Sequence, residues 1–323
     1  MPDFDFLQNP LSKQWVILAP RRAKRPDEAK GTEPVCPFCV GREGDEAEVY
    51  RLPESKILHP QSQTGDAYLD PDPNWQVRVI PNKFPFAQIH EVIIHSPDHH
   101  KSFGELTDDQ VSLILQTYRQ RFVTHQQKGL VYIFHNHGEG SGESLPHPHS
   151  QLAVIPDFVS PDIPRLDPLA TVGFGPRPNG VHFAESGLQE QPIVESQHFY
   201  VFCPKTSQWP DEVWIAPKER GRSFGEITDT ELPDLAHLLN RLVQIMDIRH
   251  GHEFPFNFYI YPGGDWYLRL MPRLKIIGGF ELGTNIYVNT QDPLETITFI
   301  KEHFDDLNTP LKHASLASYQ KHA

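Results

Sequence analysis

The segment His147-Pro148-His149 places two imidazoles two residues apart, directly after a loop rich in glycine and serine. Proline fixes its own φ and pushes the preceding residue toward extended geometry, so the segment is predicted to be extended. Alternate side chains of an extended segment share a face, which would align Gln151 with both imidazoles. Neutral imidazole is a competent nucleophile, and its attack on an α-phosphate would give a phosphoramidate that can pass a nucleotide on.

The preceding loop contains small residues of the kind that surround phosphate: Gly138, Gly140, Ser141, Gly142 and Ser144. Glycine lets backbone N–H groups approach phosphate oxygens closely, and the serine hydroxyls add donors. The loop is therefore interpreted as a phosphate-binding loop. A plain hairpin carrying two structural histidines is the alternative.

A second candidate site begins at Cys36-Pro37-Phe38-Cys39, whose spacing suits a zinc knuckle. A redox dithiol and two unligated thiols are the alternatives, but a redox pair usually opens a helix, and this pair lies in a polar, proline-containing stretch. A Cys-x-x-Cys pair with one distant cysteine, Cys203, is not the pattern of a disulfide framework. Histidines must supply the other ligands, and spacing leaves seven open: His95, His99, His100, His135, His137, His147 and His149.

The elements that position these residues are duplicated within the chain. Residues 90–108 and 211–229 align without a gap, with nine of 19 positions identical. Each copy reads as a short apolar strand, a loop, a capping threonine (Thr107 or Thr228) and a helix with apolar residues at helical spacing. Two further strands follow each helix. The second copy keeps this pattern but has Arg220 in place of His99, so the histidines of the first copy are interpreted as functional.

The repeat predicts an α+β fold, a duplicated histidine-triad-like unit in which one long helix packs on each half of an antiparallel sheet. The predicted division is an N-terminal half at 1–155 with the reactive residues, a connector rich in Pro and Gly at 156–192, and a degenerate C-terminal half at 193–323. Each half starts from a strand that precedes the repeat, near Trp75 and near His198.

Composition excludes several classes of protein. The formal net charge of −13 argues against nonspecific nucleic-acid binding, which needs a basic surface. The first residues have neither a basic region nor an apolar core, so they are not expected to form a signal peptide. No apolar run approaches the roughly 18 residues of a membrane helix. A cytoplasmic protein without nucleic-acid or membrane partners is therefore expected.

Together these motifs resemble the signature of the galactose-1-phosphate uridylyltransferases, a family of the histidine-triad superfamily in which two such units are fused. The resemblance extends from about residue 10 to 300. Besides His147–Gln151 with its loop, the matching segments are Trp15–Pro26, Cys36–Cys39, Asn82-x-Phe84, Ser96–His99 and Gly279-Phe280-Glu281.

The resemblance implies a role for each matching residue. Four residues would hold Zn²⁺: Cys36, Cys39, His99 and His147. His149 would be the nucleophile that becomes uridylylated, and Gln151 would stabilise the transferring phosphoryl group. The residues that would contact substrate phosphates, nucleotide or sugar phosphate are Arg22, Arg25, Asn82, Asn136, Gly142, Ser144 (also the third catalytic residue) and Lys275. The implied reaction is ping-pong between UDP-glucose and galactose 1-phosphate in a homodimer.

Several residues depart from the family pattern. Leu145 and His135 replace the family's Asn and Glu, and Tyr267 and Arg269 replace a His-x-His of a second metal site, so no iron is expected. The stretch after Glu281 lacks a hexose-binding Gln and looks more like the divergent branch that includes ADP-glucose phosphorylases. A phosphorylase or adenylyltransferase using the same histidine is therefore an alternative function, as are a non-catalytic nucleotide sensor and a hydrolase.

Overall fold

The computed structural model describes residues 4–24, 36–45, 47–53, 74–166, 192–252 and 254–305. The strands within these ranges are β1 (Asp5–Gln8), β2 (Trp15–Leu18), β3 (Tyr50–Leu52), β4 (Val77–Pro81), β5 (His90–Ile94), β6 (Leu130–His137), β7 (His149–Ile155), β8 (Val194–Glu195), β9 (Phe199–Phe202), β10 (Val213–Pro217), β11 (Phe256–Ile260) and β12 (Leu268–Pro272). The helices are α1 (Asp108–His125), α2 (Glu231–His250), α3 (Gly279–Thr284) and α4 (Pro293–Phe304).

Ten of these strands form one antiparallel sheet in the order β3-β4-β5-β7-β6-β11-β12-β10-β9-β8. Counted from either edge toward the centre, the strands of the two halves follow the same arrangement. At the centre, β6 of the first half pairs with β11 of the second. β1 and β2 form a separate hairpin. The predicted α+β class and antiparallel sheet are confirmed, whereas the division at residues 155 and 193 stays a prediction.

The two long helices cover one face of the sheet. Val, Ile, Leu and Phe side chains from both halves form one continuous core between the sheet and α1 and α2. Every residue of β5 and β10 is buried, so these strands are covered on both faces. This explains why the apolar residues Val92–Ile94 and Val213–Pro217 follow one another without alternating polar positions. None of the described helices combines the length and apolarity that crossing a bilayer requires.

The helix starts show a difference between the copies. Thr107 caps α1 as predicted, because its side chain accepts a hydrogen bond from the backbone N–H of Gln110. The expected start of the second helix at Thr228 is wrong, since α2 begins at Glu231 with Thr230 as N-cap. There, the carboxylate of Glu231 accepts hydrogen bonds from the backbone N–H and hydroxyl of Thr228, which adds a turn before the helix.

The repeated Ser-Phe-Gly-Glu motif is explained by packing between the halves. Gly104 lies against α2, where a β-carbon would come within 3.2 Å of Val243 Cγ1. Gly225 lies against α1, where a β-carbon would come within 2.9 Å of Phe122 Cδ1. Each half therefore presents a glycine to the long helix of the other half, which lets the two helices approach closely.

Replacing Gly225 by Ala tests this packing. The added methyl overlaps the buried ring of Phe122, so Gly225→Ala should lower the free energy of unfolding by about 1–3 kcal/mol. Gly264→Ala is the control: no atom lies within 4 Å of its added methyl, and its effect should stay within about 0.5 kcal/mol. Equal stability of the two variants in chemical denaturation would contradict the packing.

Candidate functional site

Four side chains converge on one point beside the start of β7. The ligand atoms of Cys36, Cys39, His99 and His147 all lie within 4.8 Å of one another. Cys39 Sγ is 3.2 Å from His99 Nδ1, and His147 Nδ1 is 3.7 Å from both sulfurs. Tetrahedral Zn²⁺, with bonds of about 2.3 Å to sulfur and about 2.0 Å to nitrogen, requires similar separations. The group can therefore hold a metal ion and is compatible with zinc.

Hydrogen bonding and burial prepare these ligands for a metal. His147 Nε2 donates to the Ser96 carbonyl at 2.9 Å, which leaves the lone pair on Nδ1 toward the sulfurs. Burial lowers the pKa of His147 to about 4, so the imidazole is neutral at pH 7. Burial, reinforced by the neighbouring Cys39 thiol, raises the pKa of Cys36 to about 11. A metal that binds at neutral pH must therefore displace a proton from Cys36.

His149 lies two residues further on, buried at the first position of β7. Its Nδ1 donates to the His147 carbonyl at 2.9 Å, because a carbonyl oxygen can only accept. This bond places the remaining lone pair on Nε2. The ring of Phe38, from the cysteine knuckle, packs edge-on with its centroid 5.3 Å from that of His149. The knuckle thus supports the orientation of the imidazole as well as supplying metal ligands.

Gln151 is held in a defined orientation on the same face of β7. Its Oε1 accepts hydrogen bonds from His90 Nε2 at 2.9 Å and from Asn82 Nδ2 at 3.2 Å. His90 carries its proton on Nε2 because its Nδ1 accepts from the backbone N–H of Phe86. Because both of these groups donate to its oxygen, the NH₂ group of Gln151 points away from His90 and Asn82. Sequence reasoning missed His90, which was not among the candidate histidines although it opens the first repeat.

The glycine loop is fixed from both halves of the chain. Gly138, Gly140 and Gly142 all have φ between 79° and 88°, a region that favours glycine. Asn136 Nδ2 donates to the Gly142 carbonyl at 3.3 Å. Asn257, on β11 of the second half, donates from Nδ2 to Asn136 Oδ1 at 2.8 Å and to the Ser141 carbonyl at 2.9 Å. The second half therefore shapes the loop, a role for Asn257 that sequence reasoning missed.

The four remaining predicted substrate residues differ in where they lie. Arg22 lies beside Asn82, since its Nη1 donates to the Phe84 carbonyl at 2.5 Å. Ser144 is half-buried in the glycine loop. Arg25 lies outside the described residues. Lys275 Nζ donates to Glu281 Oε1 at 2.5 Å and to the Val288 carbonyl at 2.6 Å, and no hydrogen bond joins it to the other site residues that the structure describes.

The second half carries an ion pair where the first half carries two ligands. Arg220 stands in the repeat position of His99, and Asp265 precedes β12 as His147 precedes β7. Arg220 Nε donates to Asp265 Oδ1 at 2.8 Å, and the backbone N–H of Gly221 donates to the same oxygen. Both halves therefore connect the same two loops, one through a charge pair and the other through ligand side chains.

The known proteins that this chain resembles agree with the geometry of the site. The family model described as galactose-1-phosphate uridyl transferase, N-terminal domain, matches residues 89–154, which hold β5 to β7. The resemblance to the galactose-1-phosphate uridylyltransferase family is confirmed. The chain is 29% identical to an ADP-glucose phosphorylase from Arabidopsis thaliana, over 91% of this chain and 92% of that protein. It is 26% identical to a galactose-1-phosphate uridylyltransferase from Thermotoga maritima, over 91% of this chain and 96% of that protein.

A solved structure of the Arabidopsis thaliana ADP-glucose phosphorylase with bound ADP-glucose is similar with a TM-score of 0.66. The two chains are 28% identical, and the match covers 93% of this chain and 99% of that one. These relatives support a nucleotidyltransferase of the galactose-1-phosphate uridylyltransferase type.

Removing one ligand tests the metal group. His99→Ala and Cys39→Ser should each weaken metal binding by about tenfold or more, because a tetrahedral site loses one of four donors. His100→Ala is the matched control, since His100 is adjacent in sequence but exposed and outside the group. Metal content after dialysis, measured by mass spectrometry, gives the comparison. An unchanged metal content in His99→Ala would contradict this assignment.

Proposed function

We propose that the chain transfers a nucleoside monophosphate from a nucleotide sugar to a second phosphate acceptor through a covalent intermediate on His149. The observation that carries this proposal is the hydrogen bond from His149 Nδ1 to the His147 carbonyl. It fixes the tautomer with the lone pair on Nε2, on the face of β7 that Gln151 shares. In its neutral form, a buried imidazole held in this way is a nucleophile oriented for attack on phosphorus.

In the first step, His149 Nε2 attacks the α-phosphorus of the nucleotide sugar. A P–N bond forms, the P–O bond to the sugar phosphate breaks, and hexose 1-phosphate leaves with the electron pair on its oxygen. The imidazole gains positive charge, which the His147 carbonyl stabilises through the Nδ1 proton. The NH₂ group of Gln151 and the backbone N–H groups of the glycine loop are proposed to stabilise the transferring phosphoryl oxygens.

In the second step, a phosphate oxygen of the acceptor attacks the same phosphorus. The P–N bond breaks and its electrons return to Nε2 of His149, so the proton on Nδ1 stays in place throughout. Asn136, Gly142 and Ser144 line the loop proposed to contact the phosphates, and Arg22 and Arg25 are proposed to add positive charge there. Asn82 is proposed to lie near the nucleotide as well as to orient Gln151.

The choice of nucleotide sugar is the finer part of the proposal. UDP-glucose with a hexose 1-phosphate acceptor is the reaction that the family resemblance implies. ADP-glucose with inorganic phosphate as acceptor is the second candidate, and the 29% identity to an ADP-glucose phosphorylase across nearly the whole chain favours it. Both reactions use the same histidine and the same two steps, and they differ only in the base and the acceptor.

The metal is proposed to be Zn²⁺, held by Cys36, Cys39, His99 and His147. When bound, the ion supplies a cross-link between the knuckle, the loop after β5 and the start of β7. The chain's own groups then keep His147 in place, and its carbonyl orients the nucleophile. A cytoplasmic location, where thiols stay reduced, fits this use of the two cysteines.

The segment around α3 is proposed to form a homodimer interface. Six of its apolar side chains are between 42% and 93% exposed: Leu274, Ile276, Phe280, Leu282, Ile286 and Val288. Exposed apolar side chains that lie together on one segment are typical of a contact site. Lys275 lies on the same segment, with its ammonium group bonded to Glu281 and to the Val288 carbonyl. We propose that in the dimer this ammonium group binds sugar phosphate.

Labelling tests the covalent intermediate. Wild-type protein incubated without acceptor should retain radioactivity from either UDP-glucose or ADP-glucose labelled at the α-phosphate, and the nucleotide that labels identifies the base. His149→Ala should retain none because the attacking nitrogen is gone, and Gln151→Ala should label about 10²–10³-fold more slowly.

The exposed variant His100→Ala should label as the wild type does. Turnover that survives in His149→Ala would exclude the covalent route. Tight nucleotide binding with neither labelling nor turnover would indicate the non-catalytic sensor, and release of the free monophosphate in water would indicate the hydrolase.

Light scattering tests the dimer. Ile276→Glu should shift the protein from dimer to monomer, because a charge in an apolar interface is costly to desolvate. Leu11→Glu is the matched control, since Leu11 is 91% exposed in the connection between β1 and β2. A wild-type protein that is monomeric at micromolar concentration would contradict the proposed interface.

A further inference from the structure

A cluster of polar side chains lies in the core beneath the nucleophile, on the helix-covered face of the sheet. Its members are His95, Tyr118, His135 and Ser150, each with a buried side chain. The Ser150 hydroxyl contacts His95 Nε2 at 2.8 Å and His135 Nδ1 at 3.2 Å, and it also bonds to the Tyr118 hydroxyl. We call these four residues the buried quartet. The proposed reaction does not use any of their side chains directly.

The second half of the chain shows what the same positions hold without a reactive site. Ser150 pairs with Ile93 and His135, whereas Leu268 pairs with Ile215 and Ile260. Ile93, Ile215, Ile260 and Leu268 all lie in the core between the sheet and the long helices. On that face, Leu268 and Ile260 therefore occupy the positions of Ser150 and His135. In β10 this match by face differs by one residue from the ungapped alignment, so Pro217 corresponds to His95. The residues that correspond to the full quartet are all buried and apolar: Pro217, Leu239, Ile260 and Leu268.

This contrast shows that the fold does not need a polar quartet. A buried polar group costs stability unless it is hydrogen-bonded, and apolar residues fill the equivalent space of the second half. Within the described residues, His95 Nδ1 and His135 Nε2 have no hydrogen-bond partner. Two incompletely satisfied imidazoles in a core are a local cost of the kind found at functional sites.

His135 is the member that reaches the nucleophile. Its Nδ1 lies 3.0 Å from the backbone carbonyl oxygen of His149, and the carbonyl can only accept, so Nδ1 carries the proton. The ring packs against Phe258 with centroids 4.8 Å apart and stacks on His95 at 5.1 Å. Ser150, adjacent to His149 in the chain, contacts the same nitrogen. The quartet thus holds both the peptide that bears the nucleophile and the next side chain.

We propose that His135 is a positioning residue for nucleotidyl transfer, and that the buried quartet fixes the His149 main chain so that Nε2 stays aligned with the α-phosphorus. This inference rests on the proposed function of His149. His149 would then be held at two points. The His147 carbonyl accepts from its ring, and His135 donates to its backbone carbonyl oxygen. A nucleophile misplaced by even about 1 Å can lose roughly 10²-fold in rate.

The test compares two variants of similar side-chain volume. His135→Gln keeps an N–H donor, whereas His135→Met removes it. We expect His135→Met to lower the rate constant for labelling of His149 by about 10- to 100-fold with KM and metal content within about twofold of wild type. His135→Gln should restore the rate to within about threefold of wild type. Ile260→Val, at the mirror position, should label as the wild type does.

Equal labelling rates in His135→Met and His135→Gln would overturn the inference, provided that wild type labels. Absence of any labelled His149 in wild type would instead overturn the proposed function. Nitrogen-15 NMR of wild-type protein supplies a measurement that needs no folded His135→Met. It should show His135 with its proton on Nδ1, and a proton on Nε2 instead would overturn the inference.

Discussion

The antiparallel pairing of β6 with β11 sets the register between the halves, and the geometry of the site depends on it. Asn257 lies opposite Asn136 in this pairing, which lets one amide bond both Asn136 and the Ser141 carbonyl. A shift by one residue would turn Asn257 to the other face of the sheet and remove both bonds. The second half lacks the reactive histidines, yet it determines the conformation of the loop that would surround a phosphate.

Side chains alternate between the two faces of the sheet along β7, so the reactive residues and the residues that hold the strand lie on opposite faces. His149 and Gln151 point to the open face, where the metal group and the glycine loop lie. Ser150 points to the opposite face, among side chains beneath α1. One short strand therefore carries reactive groups on one side and the residues that hold the strand on the other. Burial of the whole strand keeps both sets in fixed orientations.

Local sequence patterns predicted most of the fold, because strand alternation and helical periodicity depend on near neighbours. The repeat predicted the duplicated unit, and the His147-Pro148-His149 segment predicted that His149 and Gln151 share one face of β7. Spacing alone could not select His99, which meets Cys39 across 60 residues of chain. His90 was missed because its contact with Gln151 depends on the register of β5 against β7. Asn257 was missed because its bonds to Asn136 and to the Ser141 carbonyl depend on the pairing of β6 with β11 between the two halves.

The ion pair of Arg220 with Asp265 implies an asymmetry between the loop connections of the two halves. The second half carries both partners of its loop connection within its own sequence, so that connection is complete as soon as the chain folds. The first half brings the corresponding loops together through side chains that can hold a metal ion, and an ion bound there would complete their bonds. A bound ion would therefore be the part of this connection that the chain does not supply itself, in the half that carries His149.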